Sequence, residues 1–565
     1  MTDSAPFRGW SRAGPLQDLL LVVAVCAIVF FAGIGNSPLW DEDETRFASV
    51  AREMLASGDL IVPRFNGELA DKPAGLFWMI AASFAVFGES PAAARIGSAV
   101  CGLLTVAMVW LVGRRLFGRL TAFWGALATG TSLLFAVEAR AATADAALLA
   151  AITAMVVVAS GAWWEGKRFA PAPWSRKVAL SIGALAGVGV LLKGLVAIVV
   201  PLVAFSLFYW WALSFRSPIT RPRMRDAWSC FRAVRPVIVV ATAVLIVLPW
   251  HVAVGLKTGG EWFELFYWKH HFGRAVGVME GHGGVPFLQI LFLLAGMFPW
   301  SVFLPLAVWR TWCSALSSGD ADNEASKFVI SWSAVWLVLF SLTATQLPNY
   351  VLPAYPALGL CVGRLLARAT NRPDSMRNGW FYAACGGLCL GAFVFAGGFW
   401  SLSAFLDAPM VRNLSWLAFV PLAAAAGLGI AVAVGRRAIG TGLVGVASVM
   451  LLLGLFLVAA PKIGSLDPIA PLIARADFVA NGRAQIGAWR FSVPGVVWHS
   501  ARRVRICSSA QEAADFLESE PGKAALLIDE SGFAELSTAA GREIKVLADE
   551  RPLFRRGKVL LVGAE

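Results

Sequence analysis

Thirteen apolar stretches of membrane-spanning length recur along this chain, near residues 19–34, 93–112, 120–138, 143–164, 178–192, 194–213, 236–255, 286–309, 328–345, 349–367, 379–400, 416–434 and 439–460. A hydrocarbon core about 30 Å thick is crossed by about 20 helical residues. Inside it every backbone group must be satisfied within the protein, which leaves helices and closed barrels as the available folds. Barrel strands would alternate apolar and polar residues, and these runs do not. The chain carries 24 Trp and only 5 Tyr, which suits helices anchored at their interfaces. At 58% hydrophobic and 15% charged it lies far outside soluble composition. The expected fold is a polytopic α-helical membrane protein of about thirteen transmembrane helices.

Charge sets the expected topology. The run Ala74 to Phe87 is short for a span and is framed by Lys72-Pro73 and Gly88-Glu89, so it is left out of the count. The loops with Arg114, Arg115 and Arg119, with Lys167 to Lys177, Arg216 to Arg235, Arg364 to Arg377, and Arg436 with Arg437 then share one side, the cytoplasmic one. Counting the run would move every one of them outside. The first run has no small-residue cleavage site behind it and reads as a retained span with a cytoplasmic N-terminus. The net charge of +12 therefore reports topology, because no basic soluble module accompanies it, and no nucleic-acid partner is expected. The eight cysteines are scattered, most of them in apolar runs, with no disulfide or zinc spacing.

This parity puts residues 35–92, 256–285 and the tail from Pro461 on the outer face, and function is expected there. All five histidines, His251, His270, His271, His282 and His499, fall at or beyond that face. The first outer loop opens on four consecutive carboxylates, Asp41 to Glu44. Phe47, Val50, Ala51, Met54 and Leu55 then recur at helical spacing until Gly58, as expected for an in-plane interfacial helix. Acids at a helix start also complement the macrodipole, which is the structural alternative for any one of them. In the tail, apolar stretches Ala524 to Ile528 and Lys558 to Val562 flank a helical pattern from Ala510 to Leu517. The expected organisation is a transmembrane domain, 1–460, and a small α/β domain, 461–565.

The first loop contains Asp43-Glu44-Thr45-Arg46-Phe47-Ala48 and then Asp71-Lys72-Pro73. With A-R-A-A-T-A-D-A-A-L at 139–148, Lys193-Gly194, H-H-F-G-R at 270–274, G-H-G-G-V-P-F at 281–287, F-P-W at 298–300 and P-N-Y-V-L-P-A-Y-P-A-L at 348–358, the membrane part resembles GT-C class glycosyltransferases that use polyprenyl-phosphate sugars. It resembles in particular the group of lipid A aminoarabinose transferases, related to the protein O-mannosyltransferases. The resemblance implies a GT-C-like fold with interfacial helices in the first outer loop. It further implies an undecaprenyl-phosphate sugar as donor, lipid A or another envelope molecule as acceptor, and a place in the bacterial inner membrane with the C-terminal domain periplasmic.

On that alignment Asp43, with Glu44 beside it, takes the place of the essential first-loop acid. A carboxylate there orients or deprotonates the acceptor, or stabilises positive charge developing on the sugar. Asp145, at the outer edge of the fourth span, is the second catalytic candidate; an Asp–Arg pair with Arg140 or a helix cap is its structural alternative. A lipid-phosphate leaving group calls for fixed cations, and Lys72, Arg274 and Arg46 are the candidates, with Tyr350 as a hydroxyl donor. Lys72 has a snorkelling role as its alternative, and Tyr350 a packing role. His270 and Arg274 would share a face of a helix from Phe263 to Arg274, and His270 and His282 are the candidates for sugar or acceptor contact. Family members can hold a divalent metal through an acid and a histidine, here Asp71 or Glu44 with His270. His251 and His499 read as structural. Asp71 stands where the group usually has Glu, and Gln346 where it usually has Lys. A protein O-mannosyltransferase-like enzyme and a flippase of lipid-linked sugar are the alternative functions; a transporter would place its polar residues at mid-bilayer on repeated, broken helices.

Overall fold

The computed structural model describes residues 14–40, 42–166, 168–214, 224–272, 287–317, 322–371, 376–520, 522–541, 543–553 and 557–563. Among them eight helices are long and apolar enough to cross a membrane, or nine if the bent pair Leu288–Gly296 and Trp300–Leu316 is one span. The protein is a multi-pass membrane protein. In chain order its first helices are α1 (Pro15–Phe31), α2 (Asp43–Ser57), α3 (Ala74–Phe87), α4 (Pro91–Leu116), α5 (Arg119–Gly130), α6 (Leu133–Glu138), α7 (Asp145–Trp163), α8 (Arg176–Lys193) and α9 (Val196–Ser214).

Two expected spans are not straight rods. The run 120–138 breaks at Thr131 and Ser132 into α5 and α6. The run 286–309 is two helices meeting at 116°, with Pro299 at the corner, where a residue without an N–H cannot continue the ladder. The helix expected from Phe263 to Arg274 also differs. After Glu261–Phe263 the chain winds as a π-helix, Glu264–Phe272; the face that His270 and Arg274 were expected to share lies outside the described residues.

The membrane core closes most tightly where helix Tyr355–Asn371 crosses α5. A Cβ on Gly363 would lie 2.5 Å from Gly125 N and from Thr121 O, so the glycine lets the two backbones touch. A second apolar cluster lies under the segment 35–92, where Phe47, Val50 and Met54 of α2 and Phe77 and Ile80 of α3 pack with Trp250, Trp262 and Phe266. Helix α2 is amphipathic as its spacing requires and ends on Gly58 at φ +70°.

Beyond residue 464, five strands form one sheet in the order Arg505–Ile506, Gln485–Trp489, Ala524–Asp529, Val559–Gly563, Lys545–Glu550. The first two pairings are parallel and the last two antiparallel. Helices including Ile469–Val479 and Ala510–Ser519 cover its two faces. This sheet region is fastened to the segment 35–92. Arg52 of α2 donates to the carbonyls of Val497 and Trp498 at 3.4 and 3.0 Å and lies 4.4 Å over the Trp498 ring. Asn66, held at positive φ with Gly67 in a two-residue hairpin turn, exchanges two 2.8 Å hydrogen bonds with Val504.

Candidate active site

The chain enters α2 through Glu42 at φ +77°, which sends the next two carboxylates in different directions. Glu44 points inward. Its oxygens accept from Arg95 Nε and Nη2 at 2.9 and 2.7 Å, from Ala142 N at 2.7 Å and from Trp40 N at 2.9 Å. Arg95 in turn donates to the carbonyls of Ile34, Ser37 and Pro38. Four charge-assisted bonds occupy the Glu44 carboxylate, which ties α2, α4, the end of α1 and the turn after α6 together. Glu44, expected beside Asp43 as a catalytic acid, is buried with its oxygens engaged in these bonds.

Asp43 points outward. Solvent reaches it, yet protein crowds the recess closely enough that desolvation is the largest influence on it. Its carboxyl is raised above 3.8, against the opposing pull of Lys72 and Arg46 and with a further push from Asp145. Arg46 lies 5.9 Å from the Phe65 ring centroid, and its buried Nε has no hydrogen-bond partner among the described residues.

Next to Asp43 is a cavity of about 220 Å³ lined by Lys72, Asp145, Lys193, Asn349, Tyr350, Phe266 and Trp336 among others. Asp145 does not pair with Arg140. It begins α7 and bonds Lys193 Nζ at the end of α8, while Asn349 Nδ2 donates to its other oxygen at 3.2 Å. Arg140 instead donates Nη1 to the carbonyls of Val29, Phe30 and Ala32, closing the C-terminal end of α1. Tyr350 lines the cavity with the Lys193 ammonium 5.9 Å from its ring. Lys72 pairs with Asp71 at 2.8 Å. The arrangement brings cations from α8 and the chain before α3 to one apolar-walled recess, each paired with a neighbouring acid, while Arg46 of α2 acts on Asp43.

Arg274 and His282 lie outside the described residues, and so does the side chain of His270. Asp41 is outside them as well. Among the described residues no group of three or more His, Cys, Asp or Glu side chains could hold a metal ion. Of the Asp71 and His270 pair expected to bind a metal, Asp71 alone is described, and it faces the Lys72 ammonium. His251 is structural in its contacts, bonded to Val247 O and Tyr267 Oη. Lys193 and Asn349 lie in motifs from which the sequence alone assigns them no role. The available signal was Lys193 itself, an ionisable residue between two apolar runs, which marks a functional position by default.

The family described as dolichyl-phosphate-mannose-protein mannosyltransferase matches residues 71–252. The undecaprenyl phosphate-alpha-4-amino-4-deoxy-L-arabinose arabinosyl transferase of Enterobacter sp. (strain 638) is 27% identical over 375 residues, 66% of this chain and 64% of that protein. The matched part thus spans less than two thirds of that relative. The crystal structure of ArnT from Cupriavidus metallidurans bound to undecaprenyl phosphate superposes with a TM-score of 0.69 at 21% identity, covering 96% of this chain and 97% of that one. This chain has the GT-C fold of the aminoarabinose transferases. The apo oligosaccharyltransferase of Archaeoglobus fulgidus shares the GT-C architecture more distantly, with a TM-score of 0.51 at 9% identity over 94% of this chain and 72% of that one. The GT-C resemblance therefore extends past the matched sequence family, through the C-terminal sheet.

Proposed function

We propose that this protein is an inverting glycosyltransferase that moves a sugar from undecaprenyl phosphate, or a similar polyprenyl carrier, to lipid A or another envelope acceptor at the periplasmic face of the bacterial inner membrane. The observation that carries the reading is the convergence of Asp43, Asp145, Lys72 and Lys193 on one recess at the end of the spans, in a GT-C fold. In the reaction an acceptor oxygen attacks the anomeric carbon, and the bond from that carbon to the phosphate oxygen breaks. The electron pair leaves with the polyprenyl phosphate.

Lys72, Lys193, Arg46 and Tyr350, with Arg274 from the second outer loop, stabilise that leaving phosphate. The two lysines exchange Asp71 and Asp145 for it. Asp43 faces the anomeric carbon, orienting the acceptor and balancing positive charge on the ring. A lipid A phosphate is already an oxyanion and needs no base, whereas a hydroxyl acceptor would give its proton to Asp43. His270 and His282 complete the sugar or acceptor side, and a divalent metal, if held, would use Asp71 and His270. Glu44 acts through the position of α2. A protein O-mannosyltransferase is the second reading, favoured by the family matched at 71–252.

The proposed topology has thirteen spans, a cytoplasmic N-terminus and a periplasmic domain from 461 after a transmembrane domain ending at 460. Its support is that the eight long helices, the bent pair, α1, α5 with α6, α8 and Asn323–Ser341 coincide with the thirteen apolar runs. The acids and cations also gather at one end of the bundle, unlike the midplane site of a transporter. Mass spectrometry of lipid A and of envelope proteins from cells with and without this chain tests the acceptor. A sugar-sized mass lost from lipid A is expected. Loss from proteins alone would move the assignment to O-glycosylation.

A further inference from the structure

One helix stands between two cavities at the recess end of the bundle. Phe395 and Phe399 of helix Asn378–Leu406 line a cavity of about 710 Å³, across the turn after α6 from the charged recess. Phe393 and Trp400 lie on another face of the same helix and line a separate groove of about 510 Å³. The helix is only 17% buried over its apolar span, so the face that carries the groove is turned to lipid.

The shape of the groove follows from the sequence. Phe393, Ala396 and Trp400 are spaced i, i+3, i+7 and fall on one stripe, where the alanine leaves a gap between two aromatic rings. Trp400 lies two turns, about 10 Å, nearer the helix end than Phe393. The opposite wall is Phe419, at the start of helix Phe419–Ala433, and the rim is formed by the short turns Pro409–Arg412 and Asn413–Ala418. Phe393 and Phe419 are 71% and 70% exposed. Rings so bare on a membrane span are satisfied by hydrocarbon.

The rim has a different chemistry. Arg412 is exposed there with its guanidinium 5.3 Å from the Trp400 ring centroid, and among the described residues it meets no carboxylate. The acid closest to it in sequence, Asp407, is taken by Arg551 of the C-terminal region at 2.7 Å. Trp400 and Trp416 beside an arginine at the end of a span mark the level of the lipid headgroups. A cation balanced by no side chain at that level is matched by a lipid phosphate. A zwitterionic headgroup would also bring an ammonium group beside Arg412, with Asp407 already engaged. The charge therefore favours a lipid whose headgroup is negative overall.

We infer that this groove holds one anionic phospholipid of the surrounding leaflet, with its phosphodiester on Arg412 and an acyl chain laid along Phe393, Ala396 and Phe419. The lipid is a bound component and not a reactant. It splints the turns 409–418 to the helix end from which Asp407 holds Arg551. Native mass spectrometry of the purified full chain, offered phosphatidylglycerol and phosphatidylethanolamine with identical acyl chains, tests the inference. Wild type should retain one phosphatidylglycerol in preference to phosphatidylethanolamine by roughly fivefold, the scale of one cation on a lipid phosphate. Arg412→Gln should erase that preference and Arg412→Lys keep it. Ala396→Trp, which fills the gap, should weaken both lipids alike, and Arg436→Gln at the opposite end of the bundle should change nothing. The thermal midpoint in detergent reports that each variant is folded. A preference that survives Arg412→Gln, one lost equally in Arg436→Gln, or full lipid binding by Ala396→Trp would overturn the inference. Displacement of the phosphatidylglycerol by one equivalent of lipid A or undecaprenyl phosphate would overturn it as well, by making the groove part of the path of a reactant.

Discussion

Glu44 and Asp43 are adjacent carboxylates with opposite fates, because successive helical residues point about 100° apart and only one can face the protein. Glu44 is buried against Arg95, and removing one partner of such a pair leaves an uncompensated charge, a cost of about 3–5 kcal/mol. Glu44→Gln is therefore expected to unfold or grossly destabilise the outer loop, seen as a lower thermal midpoint in detergent; a stable variant with wild-type melting would remove it from the framework. Asp43 is raised above 3.8 by burial and partly by Asp145. It is ionised only above that raised value, so the acid limb of kcat/KM should lie above pH 3.8. Asp145→Asn withdraws a negative charge and should move the limb to lower pH, and a limb that stays in place or rises would separate the two acids. The sequence placed Asp43, Asp145, Lys72, Arg46 and Tyr350 in one site through motif resemblance; Asp145, Lys72 and Tyr350 line the recess, and Asp43 interacts electrostatically with Lys72, Arg46 and Asp145. It could not separate Asp43 from Glu44, nor find the Asp145 partner, since Arg140 is near in sequence and Lys193 is 48 residues away.

Helix periodicity was legible where one helix face met one environment: α2 begins at Asp43 and stops at Gly58 as its apolar spacing requires. Hydropathy windows located apolar helices but not their breaks, because an apolar run reads alike whether straight, split as in α5 and α6, or folded at Pro299. The π-helix Glu264–Phe272 was not legible either, its Tyr267 packing against His251 of another helix. Helix α2 is held in register by the C-terminal region through Arg52 and Trp498. Arg52→Met keeps the apolar stem but gives up the two carbonyls and the stacked charge, a loss of about 1–2 kcal/mol. Faster hydrogen exchange in α2 is the expected result, and unchanged protection would mean the clamp contributes nothing there.

The molecule as a whole gathers its chemistry at one boundary, with a charged recess on one side of the α6 turn, a larger cavity on the other, and the C-terminal sheet above. The proposed thirteen spans from a cytoplasmic N-terminus would put that boundary outside. Alkaline phosphatase fused after Glu565 should be active and the same fusion in the loop at Arg436 inactive. The reverse pattern would return Ala74–Phe87 to the membrane as a span. The central claim is that Asp43 serves glycosyl transfer from a polyprenyl phosphate in this recess. It is tested most directly by transfer of labelled sugar from undecaprenyl-phosphate aminoarabinose to lipid A by purified wild type and Asp43→Asn. The account predicts transfer by wild type and a loss of roughly 10²-fold or more in the variant with donor binding retained. Equal rates for the two proteins would contradict it.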